Sequence, residues 1–287
     1  MKSVIIEFAG SSLILAAETQ RAGEILEFLY LTLPGAPARR CSVPESPEPG
    51  VTLLITSHPA DNSFELYDGS TRLFVSQAPG PMAEVLQGEV CRRLAADSQG
   101  GLAFHSAALA HHGAAVAFPG MMQQGKSTLT AGLVEQGWTY LTDELIFWPN
   151  SATCLQAFVR PLNLRHAVLH LFAKLSQQQP PTPLRMDHAT GTLVHPALLG
   201  CGGSTSAADL ALLIFPHYQP ASPLCITPLT PAQAGLALME SLVNARNLPE
   251  HGFREITQLA RTVPAYHLMY SDLQGLGRAL EGLIPGQ

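Results

Sequence analysis

Residues 120–127 read Gly-Met-Met-Gln-Gln-Gly-Lys-Ser and fill every fixed position of the pattern G-x-x-x-x-G-K-[ST]. These residue types carry a mechanism. Backbone N–H groups of such a loop, and of the helix that follows it, wrap a phosphate, and the glycines permit a close approach. In this reading Gly120, Met121, Met122, Gln123, Gln124, Gly125, Lys126, Ser127 and Thr128 bind a nucleotide. Lys126 reaches the β- and γ-phosphates, and the Ser127 hydroxyl ligates Mg²⁺. Context separates this from a chance junction of loop and helix. The apolar run Ala114–Phe118 reads as a strand leading into Gly120, and a helix is expected from Lys126 to about Gln136, closed by Gly137.

On the far side of that helix, Trp138–Leu141 reads as a buried strand ending at Thr142-Asp143-Glu144. The acid pair begins 143 − 127 = 16 residues after Ser127. A carboxylate there can hold Mg²⁺ or accept the proton of an attacking hydroxyl. Asp143 is expected at the carboxyl end of a strand next to the glycine-loop strand, where open α/β sheets bind ligands. The plain alternative is a solvated pair at a strand end. Leu145–Trp148 continues as a further apolar strand. Upstream, Leu102–Leu109 reads as a strand joined to Ala114–Phe118 by the turn His111-His112-Gly113. Strand, glycine loop, helix, strand is an α/β nucleotide-binding pattern.

Other residues are less specific. His105 lies on the strand before the loop, and alone it reads as a packed or surface histidine. His111 and His112 lack further ligands at metal spacing. Arg160 and Arg165 can offer cations to phosphate charge. Met121 and Met122 read as gap-filling side chains, and Trp138 and Trp148 as core.

Residues 1–100 have a different texture. Val4–Phe8, Ser12–Leu15, Val51–Thr56 and Phe64–Tyr67 read as short strands, and Asp68-Gly69 predicts a hairpin turn to Arg72–Val75. Pro34 to Gly50 is expected to be a loop, and Met82 to Ala96 a helix. Toward the other end, Gln177–Pro183 and Gly200–Ser206 read as loops and Leu210–Phe215 as a strand. Pro231–Asn244 and Gly252–Thr262 read as helices.

Composition narrows the class. Among 287 residues, 16 Lys plus Arg against 22 Asp plus Glu give a net charge of −6 without a basic run. That argues against nucleic acid or an anionic membrane as partner. A 46% hydrophobic share excludes a mainly disordered chain. The five cysteines are scattered, with no C-x-x-C pair, so neither a disulfide framework nor a zinc site is expected. Without a signal-like leader or an 18-residue apolar run, a cytoplasmic location is expected.

Several stretches together resemble the HPr kinase/phosphorylase-related kinases. They are Leu102-Ala-Phe-His105, Gly125-Lys126-Ser127-Thr128-Leu129, Gly137-Trp138-Thr-Tyr-Leu-Thr-Asp143-Glu144-Leu145 and Arg160-Pro-Leu-Asn-Leu-Arg165. Ile214-Phe215-Pro216, Pro228-Leu229-Thr230 and Leu268-Met-Tyr270-Ser-Asp272-Leu273 extend the likeness over roughly residues 100 to 280. It is nearest to the branch whose acid pair is Asp-Glu. The resemblance implies an α/β fold with a P-loop core like that of HPr kinase and phosphoenolpyruvate carboxykinase. A β-rich N-terminal region (1–100) would precede a P-loop kinase-like domain (101–287) with C-terminal helices. It also implies transfer of the γ-phosphate of ATP, with Mg²⁺, to a serine of a protein or peptide, and allows a homo-oligomer. By that resemblance Lys126 and Ser127 bind nucleotide and metal, and Asp143 and Glu144 supply base and metal contacts. His105 matches an active-site histidine. From their charge, Arg160 or Arg165 is expected to steady the transferred group, with Arg165 placed in the catalytic set. Two departures stand out. Met122, Gln123 and Gln124 occupy positions where the family usually carries Gly or Ser, and Glu144 replaces the second Asp of the bifunctional enzymes. HPr itself is therefore not the expected acceptor. A non-catalytic nucleotide-binding regulatory module and a kinase for a small hydroxylated metabolite remain alternatives.

Overall fold

The computed structural model describes residues 1–41, 51–121, 124–150, 154–176 and 183–285. These residues form a mixed α/β fold with three sheets. Strands β1 (Lys2–Phe8), β2 (Ser11–Ala17), β3 (Ala38–Arg40), β4 (Val51–His58), β5 (Ser63–Asp68) and β6 (Thr71–Ser76) make the first, in the order β3-β1-β2-β4-β5-β6. Helices α1 (Gln20–Leu26) and α2 (Pro79–Asp97) pack against it through Ile25, Leu26, Met82, Leu86, Val90 and Leu94. They meet Val4, Ile6, Leu13, Leu15, Leu53 and Ile55, the alternating residues that a half-buried strand turns to its core. The same core takes in Ala103, Leu145, Phe147 and Phe158 from the next sheet.

That second sheet contains β7 (Gly101–His111), β8 (Ala114–Pro119), β9 (Thr139–Thr142), β10 (Leu145–Pro149) and β11 (Cys154–Ala157). A small third sheet follows, of β12 (Leu162–Arg165), β13 (Arg185–Asp187) and β14 (Gly191–Val194). The chain then returns to the second sheet as β15 (Ala207–Tyr218), β16 (Cys225–Pro228) and β17 (Ala265–Tyr270). The order is β11-β10-β7-β8-β15-β17-β16, with β9 also on β7. β15 runs parallel to both β8 and β17, so these three strands end on the same side of the sheet. Among the described residues this part adds the α-helices α3 (Lys126–Glu135), α4 (Ala173–Ser176), α5 (Pro231–Ser241), α6 (Phe253–Thr262) and α7 (Leu276–Glu281), with short 3-10 turns between them. Val116 and Phe118 of β8 join the core containing Leu129, Leu276 and Leu280, from α3 and α7. Ala115 and Ala117 join the core containing Leu238 and Ile256, from α5 and α6. Both faces are covered, which is why this strand reads as an unbroken apolar run.

Most expected elements form, with a few differences. The part of Pro34–Gly50 that is described contains strand β3, held by pairing with Val4–Ile6 rather than by its own Ala-Arg-Arg sequence. Residues 42–50, and 177–182 of the expected Gln177–Pro183 loop, lie outside the described residues. The helix expected over Pro231–Asn244 stops at Ser241. There Asn244 turns its side chain to the backbone of Gly101 and Ala103. β16 and β17 stand among the expected C-terminal helices. One topological expectation is overturned: β9, which leads into Asp143, pairs with β7 and not with the glycine-loop strand β8. The reason is the antiparallel hairpin β7–β8, which puts β7 between them.

Candidate functional site

The loop after β8 leads into α3 through Gly125, whose φ of +84° is the left-handed region that side chains avoid. A Cβ there would also stand 2.7 Å from the Tyr270 hydroxyl, so glycine is required twice over. Among the described residues no side chain caps this helix, which leaves its first amide donors to a ligand or water. Lys126 is buried at the first helical position, and its ammonium donates to the carbonyls of Gly120 (2.8 Å) and Met121 (2.7 Å). Burial pulls that ammonium down to about 8, against the raising pull of Glu144 and Asp143. Met121 is exposed; Met122 and Gln123 lie outside the described residues.

The acid pair sits where one ladder is interrupted. Thr142 lies opposite Ala108, and Leu145 opposite His105, so from Thr142 onward the chain follows β7 in one register; the one irregularity in β9 lies before it, at Ala108/Leu109. Asp143-Glu144 falls between them, and the Ser106 amide still donates to the Glu144 carbonyl at 2.9 Å. This break releases two carboxylates from a strand without losing the strand's alignment.

Their surroundings differ. The Asp143 side chain is 0% exposed, whereas that of Glu144 is 31% exposed. Asp143 Oδ2 accepts from the Ser127 hydroxyl (3.1 Å) and the Asn163 amide (3.2 Å), and Oδ1 from Arg160 Nε (2.9 Å). Glu144 Oε2 accepts from Arg160 Nη2 at 2.9 Å, and Oε1 lies 3.1 Å from His105 Nδ1. Burial alone would raise the Glu144 carboxyl, but the Arg160 charge and neighbouring His105 outweigh it and hold it at about 2. Arg160 is itself buried; desolvation opposes its charge, and the two carboxylates keep it protonated.

Helix α2 braces this segment from behind. Glu84, Gln87 and Cys91 share one helix face by their spacing. Gln87 Nε2 donates to the Pro161 carbonyl at 3.0 Å, and Arg160 Nη1 lies 3.7 Å from Cys91 Sγ. Glu84 Oε2 is 3.0 Å from His188 Nδ1, at ion-pair distance though off the line of a hydrogen bond. His188 Nε2 in turn meets Asn163 Oδ1 at 3.0 Å. Asn163 stands inside the Arg160–Arg165 stretch, whereas no local sequence pattern marks His188, Glu84, Gln87 or Cys91 for this site. The nearest to a signal is a glutamine inside the apolar stripe of α2.

A cavity of about 1450 Å³ runs across these groups. Its walls include His105, Gly125, Lys126, Ser127, Thr128, Asp143, Glu144, Arg160 and Arg165. Arg160 is committed to the acid pair, whereas Arg165, at the end of β12, is exposed and forms no ion pair among the described residues. Among the described residues no three His, Cys, Asp or Glu side chains gather as a metal cage. Mg²⁺ does not require one, since it is commonly held by one or two carboxylates plus substrate phosphates. Two neighbouring ligands in its octahedron stand about 2.9 Å apart. The 3.1 Å between Ser127 Oγ and Asp143 Oδ2 fits that spacing.

No family model matches the chain, and no curated protein does. Among solved structures, the HPr(Ser) kinase/phosphatase of Coxiella burnetii aligns with a TM-score of 0.32 and 12% identity, over 63% of this chain and 92% of that one. A likeness at that score decides neither fold nor chemistry. Among the described residues no helix is long and apolar enough to cross a membrane.

Proposed function

We propose that this chain is an ATP- and Mg²⁺-dependent kinase that passes the γ-phosphate to a serine hydroxyl of a protein or peptide, on a P-loop core. The observation that carries the reading is one contact: Ser127, directly after the loop lysine, is hydrogen-bonded to Asp143 at 3.1 Å on the wall of a large cavity. Lys126 and the first amides of α3 would hold the β- and γ-phosphates. Ser127 and Asp143 would hold Mg²⁺, which when bound neutralises charge on the phosphate oxygens.

The proton of the acceptor is better assigned to Glu144 than to Asp143, whereas the sequence points to Asp143 as the base and Glu144 as a metal contact. Asp143 is sealed on both oxygens by Ser127, Asn163, Arg160 and the more distant Tyr140 hydroxyl (3.5 Å), while Glu144 keeps an exposed edge beside His105. The acceptor oxygen bonds to the γ-phosphorus, the bond from that phosphorus to the bridging oxygen of ADP breaks, and the hydroxyl proton passes to the Glu144 carboxylate. Catalysis by such a site is mostly positioning and charge stabilisation. Arg165 would stand free to meet charge on the transferred group.

The experiment is incubation with γ-labelled Mg-ATP and lysate of the source cells, with Lys126→Ala as control. Label on a peptide serine that depends on Lys126 supports the proposal. Label confined to small molecules transfers the reading to a metabolite kinase, and none at all to a non-catalytic nucleotide-binding module.

A further inference from the structure

We propose that the nucleoside of the triphosphate lies against Tyr218, at the carboxyl ends of β15 and β17. The inference rests on the phosphate-loop reading above and adds a direction to it. Asp143 and Glu144 stand on the β7 side of the glycine-loop strand, because β9 and β10 both pair with β7, and Ser127 is hydrogen-bonded to Asp143 there. The reacting phosphate must face those carboxylates, so the other end of the triphosphate leaves on the opposite side of the loop. On that side the next strands are β15 and then β17. Both run in the direction of β8 and end beside the loop, the position where open sheets receive ligands.

The side chains at those two ends suit a flat aromatic ligand. Tyr218 and Tyr270 are register partners, with ring centroids 5.7 Å apart and planes at 70°. Tyr270 is buried, and its hydroxyl donates to the Gly125 carbonyl at 3.4 Å, tying the pair to the loop. Tyr218 is 49% exposed and lines the same cavity as Lys126 and Asp143. A large aromatic left open beside a phosphate site is a platform on which a base can stack without sequence of contacts being specified. Ser271, Asp272, Gln274 and Arg278 line the adjoining wall and offer both donors and acceptors to ribose and base edges.

The test is calorimetric binding of Mg-ATP and of Mg-tripolyphosphate, which carries the phosphates without a nucleoside. Wild type, Tyr218→Ala, Tyr218→Phe and Lys126→Ala are compared. Tyr218→Ala is expected to weaken Mg-ATP at least about fivefold, the low end of aromatic–base stacking, and to leave tripolyphosphate unchanged. Tyr218→Phe keeps the ring and retains the affinity, which separates stacking from a folding defect. Lys126→Ala weakens both ligands. A wild type that binds tripolyphosphate as tightly as ATP overturns the nucleoside site alone, as does a Tyr218→Ala variant with unchanged ATP affinity. A wild type that binds neither ligand removes the phosphate loop itself, and the inference with it.

Discussion

Replacing Arg160 by methionine keeps most of the side-chain volume and removes the charge shared by Asp143 and Glu144. In the native fold the guanidinium fork spans both carboxylates at 2.9 Å each, inside a site where the Asp143 side chain has no exposure. Asp143 would then keep the Ser127 and Asn163 donors on Oδ2, and its Oδ1 would lose its charged partner and keep just the distant Tyr140 hydroxyl. Breaking a buried pair from one side is destabilising by about 3–5 kcal/mol. For a chain of this length that lowers Tm by roughly 5–8 °C. Urea and thermal denaturation measure it directly. The effect also has a pH signature. Glu144 is held at about 2, below its ordinary value near 4.5. A depressed carboxylate stabilises the fold above its unfolded pKa, and that stabilisation is lost as pH falls through the interval down to about 2. Arg160→Met should flatten this part of the acid profile. Adding Asp143→Asn should recover part of the lost stability, because it removes the stranded charge. A single variant destabilised by less than about 1 kcal/mol, or a double variant no better than the single, refutes the account of Arg160 as a buried clamp.

Four further outcomes follow from the same geometry. Mg-ATP at 100 times its dissociation constant should stabilise the fold by about 2.7 kcal/mol, and Lys126→Ala should abolish the thermal shift while leaving the chain folded. Lys126 is held at about 8 against 10.5 in an unfolded chain, so between those values the unfolded state binds more protons and stability rises with pH. Lys126→Met should erase that rise in denaturation curves taken from pH 8 to 10.5. Gln87→Leu leaves the buried Pro161 carbonyl without its donor and should lower urea stability by about 1–3 kcal/mol, although residue 87 is far from the chain's glycine loop; an unchanged midpoint would dismiss the brace from α2. Gly125→Ala forces a side chain into a left-handed backbone and against Tyr270, and should lose at least about 1 kcal/mol of stability together with the Mg-ATP shift.

What was legible in the sequence was local. The glycine loop, its preceding strand and α3 are contiguous, and each constraint on them lies within a few residues of the next. The acid pair was visible as chemistry, but its neighbours were not. Asp143 meets Arg160 through a chain separation of 17, and Arg160 meets Cys91 through one of 69. No local rule reports such contacts. β17 escaped notice because Ala265–Tyr270 is not β-branched and derives its order from β15 on one side and β16 on the other. Helix α1 did carry a signal: Thr19 caps it by accepting from the Ala22 amide, a preference readable in advance. The pairing of β9 with β7 rather than β8 was not legible, since both candidates are apolar strands at similar distance along the chain.

The contrast between Asp143 and Glu144 has a simple origin in that pairing. Adjacent residues released from one strand cannot share one environment, and here the two carboxylates diverge from a common arginine. Both line the cavity, but one turns its oxygens to Ser127 with no exposure, while the other faces His105 and stays partly exposed. On the proposed reading, environment rather than residue type would separate a group that holds the metal from one that takes the proton. Asp143→Asn and Glu144→Gln test this separation when compared for both binding and transfer. If Asp143 holds Mg²⁺, Asp143→Asn weakens Mg²⁺-dependent ATP binding along with the rate. If Glu144 accepts the proton, Glu144→Gln leaves binding near the native level and slows transfer by about 10² or more. The opposite pattern, with binding lost only in Glu144→Gln, would return the base to Asp143, and the exposed edge of Glu144 would need another explanation.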